Sequence, residues 1–231
     1  MFRLDEAPSG QDARLGELID EFSAIVNAKT FPCIYSTLPY TTGEIYFSRV
    51  IADNYLADSV LAELVELCRT IERSPDAMGV IFVDDGRTRT LEDDFVLATE
   101  IVQRVMRATA SRPGRAELPK PDDPWWMPWL DGIGLFLNFS TPNHRARRSR
   151  SVGSVFTLIA QARASFDRNN RASPRARSEI RQRLISYDDV APHPALGAYG
   201  EPANREAWQY FLGDTAEFYD PTGACRHDGS R

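Results

Sequence analysis

The stretch GIGLFLNFSTPNHRARRSR, residues 132–150, decides how this chain is read. Residues 133–139 (IGLFLNF) form an apolar run of strand length. The run leads through a short cationic link into a second strand, expected over residues 152–162 (VGSVFTLIAQA). Upstream, residues 78–83 (MGVIFV) read as another strand ended by the turn signal Asp84-Asp85-Gly86, and residues 44–50 as one more after Thr42-Gly43. Between them, residues 55–71 place Leu56, Val60, Leu61, Leu64, Val65 and Leu67/Cys68 on a wide apolar stripe, which predicts a helix.

Further helices are expected over residues 15–26 and over residues 91–109, the latter with Thr90 as N-cap and Asp93 three residues on. A polar helix is expected over 171–187 and a short one over 205–212. Residues 31–35 (FPCIY) read as extended, because proline pushes the preceding residue away from helix. Residues 111–128, rich in proline and charge, read as a loop. The interleaving predicts a single α/β (α+β) domain with a mixed central sheet and flanking helices. Its expected extent is 11–218, between a disordered N-terminus (1–10) and a flexible C-terminal tail (219–231).

The bulk numbers narrow the function. The 231 residues suffice for a full hydrophobic core, and the 27 basic against 33 acidic residues leave a formal charge of −6, which disfavours nucleic acid as partner. Cys33, Cys68 and Cys225 show no CxxC spacing, so they read as free thiols of a reducing compartment. The lack of a signal-peptide core in residues 1–10, and of any apolar run of membrane-spanning length, makes the cytoplasm the expected location and excludes a membrane partner. No glycine-rich phosphate loop follows a strand, which argues against nucleotide folds.

Four arginines fall within residues 145–150, next to His144, in an acidic chain. The guanidinium fork suits carboxylate or phosphate, and imidazole is a common metal ligand. The bland alternative is a solvated loop of surface ion pairs. Trp125, Trp126 and Trp129 precede the strand and are candidates for the flat apolar wall of a site, although such clusters are more often core. Cys33 reads first as a buried hydrophobe and second as a thiolate ligand. His193 sits in Pro192-His193-Pro194, and His227 falls in the expected tail. Two serious histidines exclude a three-histidine metal site. Asp84, Asp85, Glu92, Asp93 and Asp94 form the region where a cation's carboxylate partner is expected.

Taken in order, FPC (31–33), the tryptophan segment with GIGLFLNF, TPNHRARRSR (141–150), QAR (161–163) with Phe166-Asp167, HPALG (193–197) and EAWQY (206–210) resemble the YqcI/YcgG family over about residues 31–218. Members of that family include heme-dependent N-hydroxylases of guanidino compounds. The resemblance therefore implies heme b, and a monooxygenase that N-hydroxylates a small amine or an arginine-like guanidino compound. Its partners would be a small cationic substrate, O2 and an external reductase, since no flavin or nicotinamide motif is visible. On that reading His144, Cys33 or His193 is the axial ligand and Arg147, Arg148 or Arg150 pairs with the propionates. Trp125, Trp126, Trp129 and Phe136 wall the macrocycle. The rival functions are a non-catalytic heme- or anion-binding protein and an interaction module built on the arginine loop.

Overall fold

A computed structural model of the chain describes residues 1–4, 12–51, 55–110, 118–171 and 173–223. Its elements run β1 (Phe2–Arg3), α1 (Ala13–Val26), α2 (Leu38–Thr42), β2 (Ile45–Ile51), α3 (Leu56–Arg73), β3 (Met78–Asp84), α4 (Leu91–Ala110), β4 (Trp129–Leu130), β5 (Ile133–Ser140), β6 (Phe156–Ala162), α5 (Arg163–Arg168) and α6 (Pro174–Tyr187). Two 3₁₀ turns are also described, Arg148–Arg150 before β6 and Glu206–Gln209 after α6.

The strands form one six-stranded sheet in the order β1-β2-β3-β6-β5-β4. Only β2 and β3 are parallel, joined through α3 as parallel neighbours require. The remaining pairs are antiparallel, with Ile81 opposite Leu158 and Leu137 opposite Ala160 setting the register. Alternation then assigns the faces. Ile81, Val83, Leu135, Leu137, Phe139, Leu158 and Ala160 point toward α3 and α4, whose stripes include Val60, Leu64, Ile101 and Val105. On the other face α1 covers only the β2–β3 half, where Phe22 meets the stacked rings of Phe47 and Phe82. The β5–β6 half of that face, with Phe136, Asn138, Ile159 and Gln161, is roofed instead by α6 and by the loop around Leu196 and Leu212, and a cavity remains beneath.

The expected helices and strands recur with shifted ends. Thr90 and Asp93 do form a reciprocal cap on α4: the Asp93 amide donates to Thr90 Oγ1 at 3.2 Å, and the Thr90 amide to Asp93 Oδ2 at 2.8 Å. Residues 31–35 are not a strand. They turn into α2, with the Ser36 amide donating to the Cys33 carbonyl and the Leu38 amide to the Tyr35 carbonyl, and no sheet edge is offered to them. The strand expected over 152–162 starts only at Phe156, because Gly153 and Ser154 bend around Glu21. The last helix shrinks to a 3₁₀ turn.

Phe2–Arg3 pair with β2, so the disorder expected for 1–10 does not begin at the first residues, while residues 5–11 lie outside the described ones. Within the expected tail Tyr219 packs on Phe95 and Phe211 and Thr222 is buried, whereas residues 224–231 lie outside the described ones, and with them Cys225 and His227. Among the described residues no helix is long and apolar enough to cross a membrane.

Candidate functional site

The cationic link of residues 144–150 is held by acids supplied from far along the chain. Asp214 accepts hydrogen bonds from the amides of Arg145 (2.8 Å), Ala146 (3.2 Å) and Arg147 (3.0 Å), and sits 2.9 Å from His144 Nδ1. Burial alone would raise its pKa, but these donors outweigh burial and hold the carboxyl at about 2. Asp188 accepts from the amide and hydroxyl of Ser149, both at 2.7 Å. Arg147, 2% exposed, donates to the carbonyls of Gly213, Ala191 and Thr215. The link is therefore a buried clasp rather than a solvated basic patch. Of its four arginines only Arg145 and Arg148 are exposed, and Arg148 pairs with Asp189 and stacks on Tyr187. Arg147 lines the cavity under α6 with its guanidinium held by those carbonyls and 3.9 Å from Asp188, whereas Arg148 does not line it.

Arg150 differs. It is buried and lines the cavity under α6, bonding only neutral oxygens: Asn138 Oδ1 at 2.5 Å and the Gln209 carbonyl at 3.0 Å. No carboxylate lies within ion-pair distance of it among the described residues. Burial, and then the charge of Arg147, lower its pKa to about 10, so it stays cationic at neutral pH. A buried charge without a counter-charge is costly, and a ligand anion would offset that cost.

The cavity measures about 270 Å³, near the roughly 300 Å³ lower end of small-molecule sites. Its walls are mostly apolar: Phe22, Phe136, Ile159, Phe166, Ile180 and Leu184. Cys33 also lines it, and burial pushes the thiol's pKa up, so without a cationic partner it stays protonated at neutral pH. A second cavity of about 180 Å³ shares Phe136, Phe166, Ile180, Leu184 and Leu196 with the first, so the two form one cleft. This second part carries Glu206, 4% exposed, whose carboxylate accepts from Gln209 Nε2 at 3.2 Å. Burial lifts its pKa to about 7, and Arg163 only partly counters this. Arg163 is itself stacked over Tyr199 and Phe166, at 4.6 and 5.2 Å from the ring centres.

The other candidates fall elsewhere. His193 is committed on both ring nitrogens: Nδ1 accepts from the Ala195 amide at 3.0 Å, so Nε2 is the donor to the Glu217 carbonyl, also at 3.0 Å. It has no lone pair for a metal. His144 does not line the cleft, although its Nε2 is buried with no partner. Because ionised Asp214 takes the Nδ1 proton, that Nε2 holds a free lone pair, the arrangement a ligating histidine needs.

The tryptophans do not wall the cleft. Trp126 belongs to the core on the α3–α4 side, Trp126 and Trp129 border a separate cavity beside Met106, and exposed Trp125 lies against Tyr199 and Gly200. Gly200, at φ +81°, leaves no room for a Cβ there because the indole lies 2.5 Å from where it would stand. Three of the acids of 84–94 are engaged away from the cleft: Asp84 with Arg49 and Arg14, Asp85 with Arg89, and Asp94 with Thr141 and Asn143. The carboxylate that does face the cleft, Glu206, carries no sequence signal beyond its place in EAWQY. Among the described residues no group of three or more His, Cys, Asp or Glu is placed to hold a metal ion.

The sequence profile of the YqcI/YcgG family matches residues 22–222. The chain belongs to the YqcI/YcgG family. It is 32% identical over 198 residues to "Uncharacterized protein YcgG" of Bacillus subtilis (strain 168), covering 81% of this chain and 78% of that protein. It is 30% identical over 207 residues, 84% of this chain and 78% of the other, to the Streptomyces lavendulae protein named "Putative N(omega)-hydroxy-L-arginine synthase DcsA". "Uncharacterized protein YqcI" of the same Bacillus strain is 40% identical over 97 residues, 41% of this chain and 38% of that protein. No solved structure matches the YqcI/YcgG chain. The family match spans the whole cleft, from Phe22 on α1 through Cys33 to Glu206 and Leu212.

Proposed function

We propose that this protein N-hydroxylates an arginine-like guanidino compound, with heme b held in the apolar part of the cleft. The observation that carries the reading is the cleft itself. Two adjoining cavities offer an apolar slot with the Cys33 thiol, a buried cation in Arg150 outside any ion pair, and a buried carboxylate in Glu206. The name of the Streptomyces relative supplies the arginine-like substrate class.

The residues present suit heme b. One side chain must bind iron, apolar walls must meet the macrocycle, and cations must meet the propionates. Cys33 lines the slot and is the first choice as ligand; a ferric ion is the cationic partner that would bring its raised pKa down. His144, with its orphaned Nε2, is the second choice but stands outside the cleft lining. Arg150 would meet a propionate. Bound heme would supply the activation of O2.

In the overall reaction one oxygen atom of O2 forms the new N–O bond. The other leaves as water, with two electrons and two protons from an external reductant. The chain's own part is to bind and orient. Glu206, ionised on contact, would accept the guanidinium N–H donors, and Phe136 and Phe166 would exclude water from the reacting nitrogen. The test is titration with hemin. A saturable Soret change that Cys33→Ala shifts or abolishes supports the assignment. Retention of the unchanged spectrum in Cys33→Ala with its loss in His144→Ala transfers the ligand to His144, and no saturable change in the unsubstituted protein removes heme from the account.

A further inference from the structure

The cleft has a second polar end that the proposed chemistry leaves unused. Arg171, Arg177 and Arg181 line its 180 Å³ part together with Arg163. Arg177 and Arg181 are one turn apart on α6 and so share a face. Their partners are few. Arg171 donates Nη1 to Gln161 Oε1 at 3.2 Å, while its Nε is buried without a partner. Arg181 reaches the Leu196 carbonyl. The Arg177 side chain has no hydrogen-bond or ion-pair partner among the described residues. The nearby acids are engaged elsewhere: Glu179 pairs with Arg183, and Asp167 with Arg163. In a chain of net charge −6, three guanidinium groups thus line the cavity that holds Glu206, and none of the three is in an ion pair among the described residues.

Glu206 accepts from Gln209 and makes no hydrogen bond or ion pair with Arg171, Arg177 or Arg181 among the described residues. The cleft thus carries both a carboxylate and a group of guanidinium donors that are not paired with each other. Guanidinium groups bind carboxylates in a planar, two-bond geometry, and an uncompensated cluster gains most from doing so.

We propose that Arg171, Arg177 and Arg181 form a carboxylate subsite that holds the α-carboxylate of the substrate while its guanidinium lies at Glu206. The subsite makes the protein selective for an amino acid over its decarboxylated amine. This rests on the arginine-like substrate proposed above. A heme propionate has the same carboxylate chemistry, so the experiment carries an arm for each source.

In the first arm, calorimetry compares L-arginine with agmatine, which has the guanidinium but no carboxylate. The proteins are the unsubstituted chain and the Arg177→Gln/Arg181→Gln double variant. Glutamine keeps the helix propensity of these α6 positions, and circular dichroism checks the fold. L-Arginine should bind the unsubstituted protein at least about tenfold more tightly than agmatine, and the double variant should lose that difference with agmatine binding unchanged. In the second arm, hemin is compared with its dimethyl ester on the same two proteins. If only this arm responds to both the ester and the substitutions, the subsite stands and the carboxylates held are those of the porphyrin.

The subsite is overturned if neither pair of ligands is discriminated, or if the substitutions weaken a ligand and its carboxylate-free analogue alike. Binding of agmatine and L-arginine with equal affinity, with hemin and its dimethyl ester likewise undiscriminated, refutes the subsite and leaves the guanidine reading standing. Binding of neither compound refutes the arginine-like substrate itself.

Discussion

Replacing Glu206 by glutamine should make the protein more stable at alkaline pH and leave its stability in acid little changed. Glu206 is 4% exposed, and burial moves its pKa from 4.5 to about 7. Between those values the unfolded chain releases the proton and the folded chain keeps it. The folded state then binds more protons than the unfolded one, so stability falls as pH rises through this window. The fall amounts to about 3 kcal/mol once the pH exceeds the folded value. Glutamine cannot ionise, so Glu206→Gln lacks this decline.

The difference in unfolding free energy between variant and parent should therefore grow by up to about 3 kcal/mol from about pH 4 to about pH 8. Loss of the attraction to Arg163 reduces the gain somewhat. Urea unfolding at several pH values reads it directly as a midpoint shift of about 1 M or more, for slopes of about 1–3 kcal/mol per M. A saturating guanidinium ligand should flatten the parent's decline, because it favours the ionised carboxylate. A variant–parent difference that is constant across the pH range would refute the argument that Glu206 is held protonated by burial.

Asp214→Asn should destabilise the fold by about 2–3 kcal/mol in thermal or urea unfolding, because three backbone amides and His144 lose an ionised acceptor. In the unsubstituted protein the folded carboxyl is depressed to about 2, so its contribution is present above 3.8 and is lost as pH falls through 2. Arg150→Met should change stability by less than about 1 kcal/mol, since the unmatched charge and its bonds to Asn138 and Gln209 disappear together. The same substitution should weaken hemin binding about tenfold in absorption titrations. His193→Gln should leave the hemin spectrum unchanged while lowering the melting temperature, because both imidazole nitrogens serve the loop of residues 193–217.

The regular elements were legible because their signals are local. The apolar stripe of α3 and the run of β5 hold whatever the rest of the chain does, and the Thr90–Asp93 cap is written within four residues. Residues 31–35 were misread because the proline only disfavours helix at Phe31, while the turn into α2 is made by hydrogen bonds from Ser36 to Cys33 and from Leu38 to Tyr35. The arginine-rich link was conspicuous, yet its role was not. Arg147 donates to carbonyls 44 to 68 residues away and lies 3.9 Å from Asp188, and the amides of residues 145–147 donate to an acid 67 to 69 residues on.

Glu206 and the α6 arginines were invisible as a site for the same reason. One acid among 33, and arginines in a polar helix, gain meaning only when the β5–β6 half of the sheet is left uncovered by α1 and α6 folds over it. Cys33 and Phe136, by contrast, were named from the sequence and do meet in one cavity with Arg150.

The most direct test of the account is product analysis. The hemin-loaded protein is incubated with L-arginine, O2 and a reducing system, and the amino acid is examined by mass spectrometry with isotopically labelled O2. The account predicts a product carrying one labelled oxygen atom on a guanidino nitrogen, formed by the unsubstituted protein and strongly diminished in Glu206→Gln. Unchanged L-arginine from a protein that is demonstrably heme-loaded and reducible would contradict it.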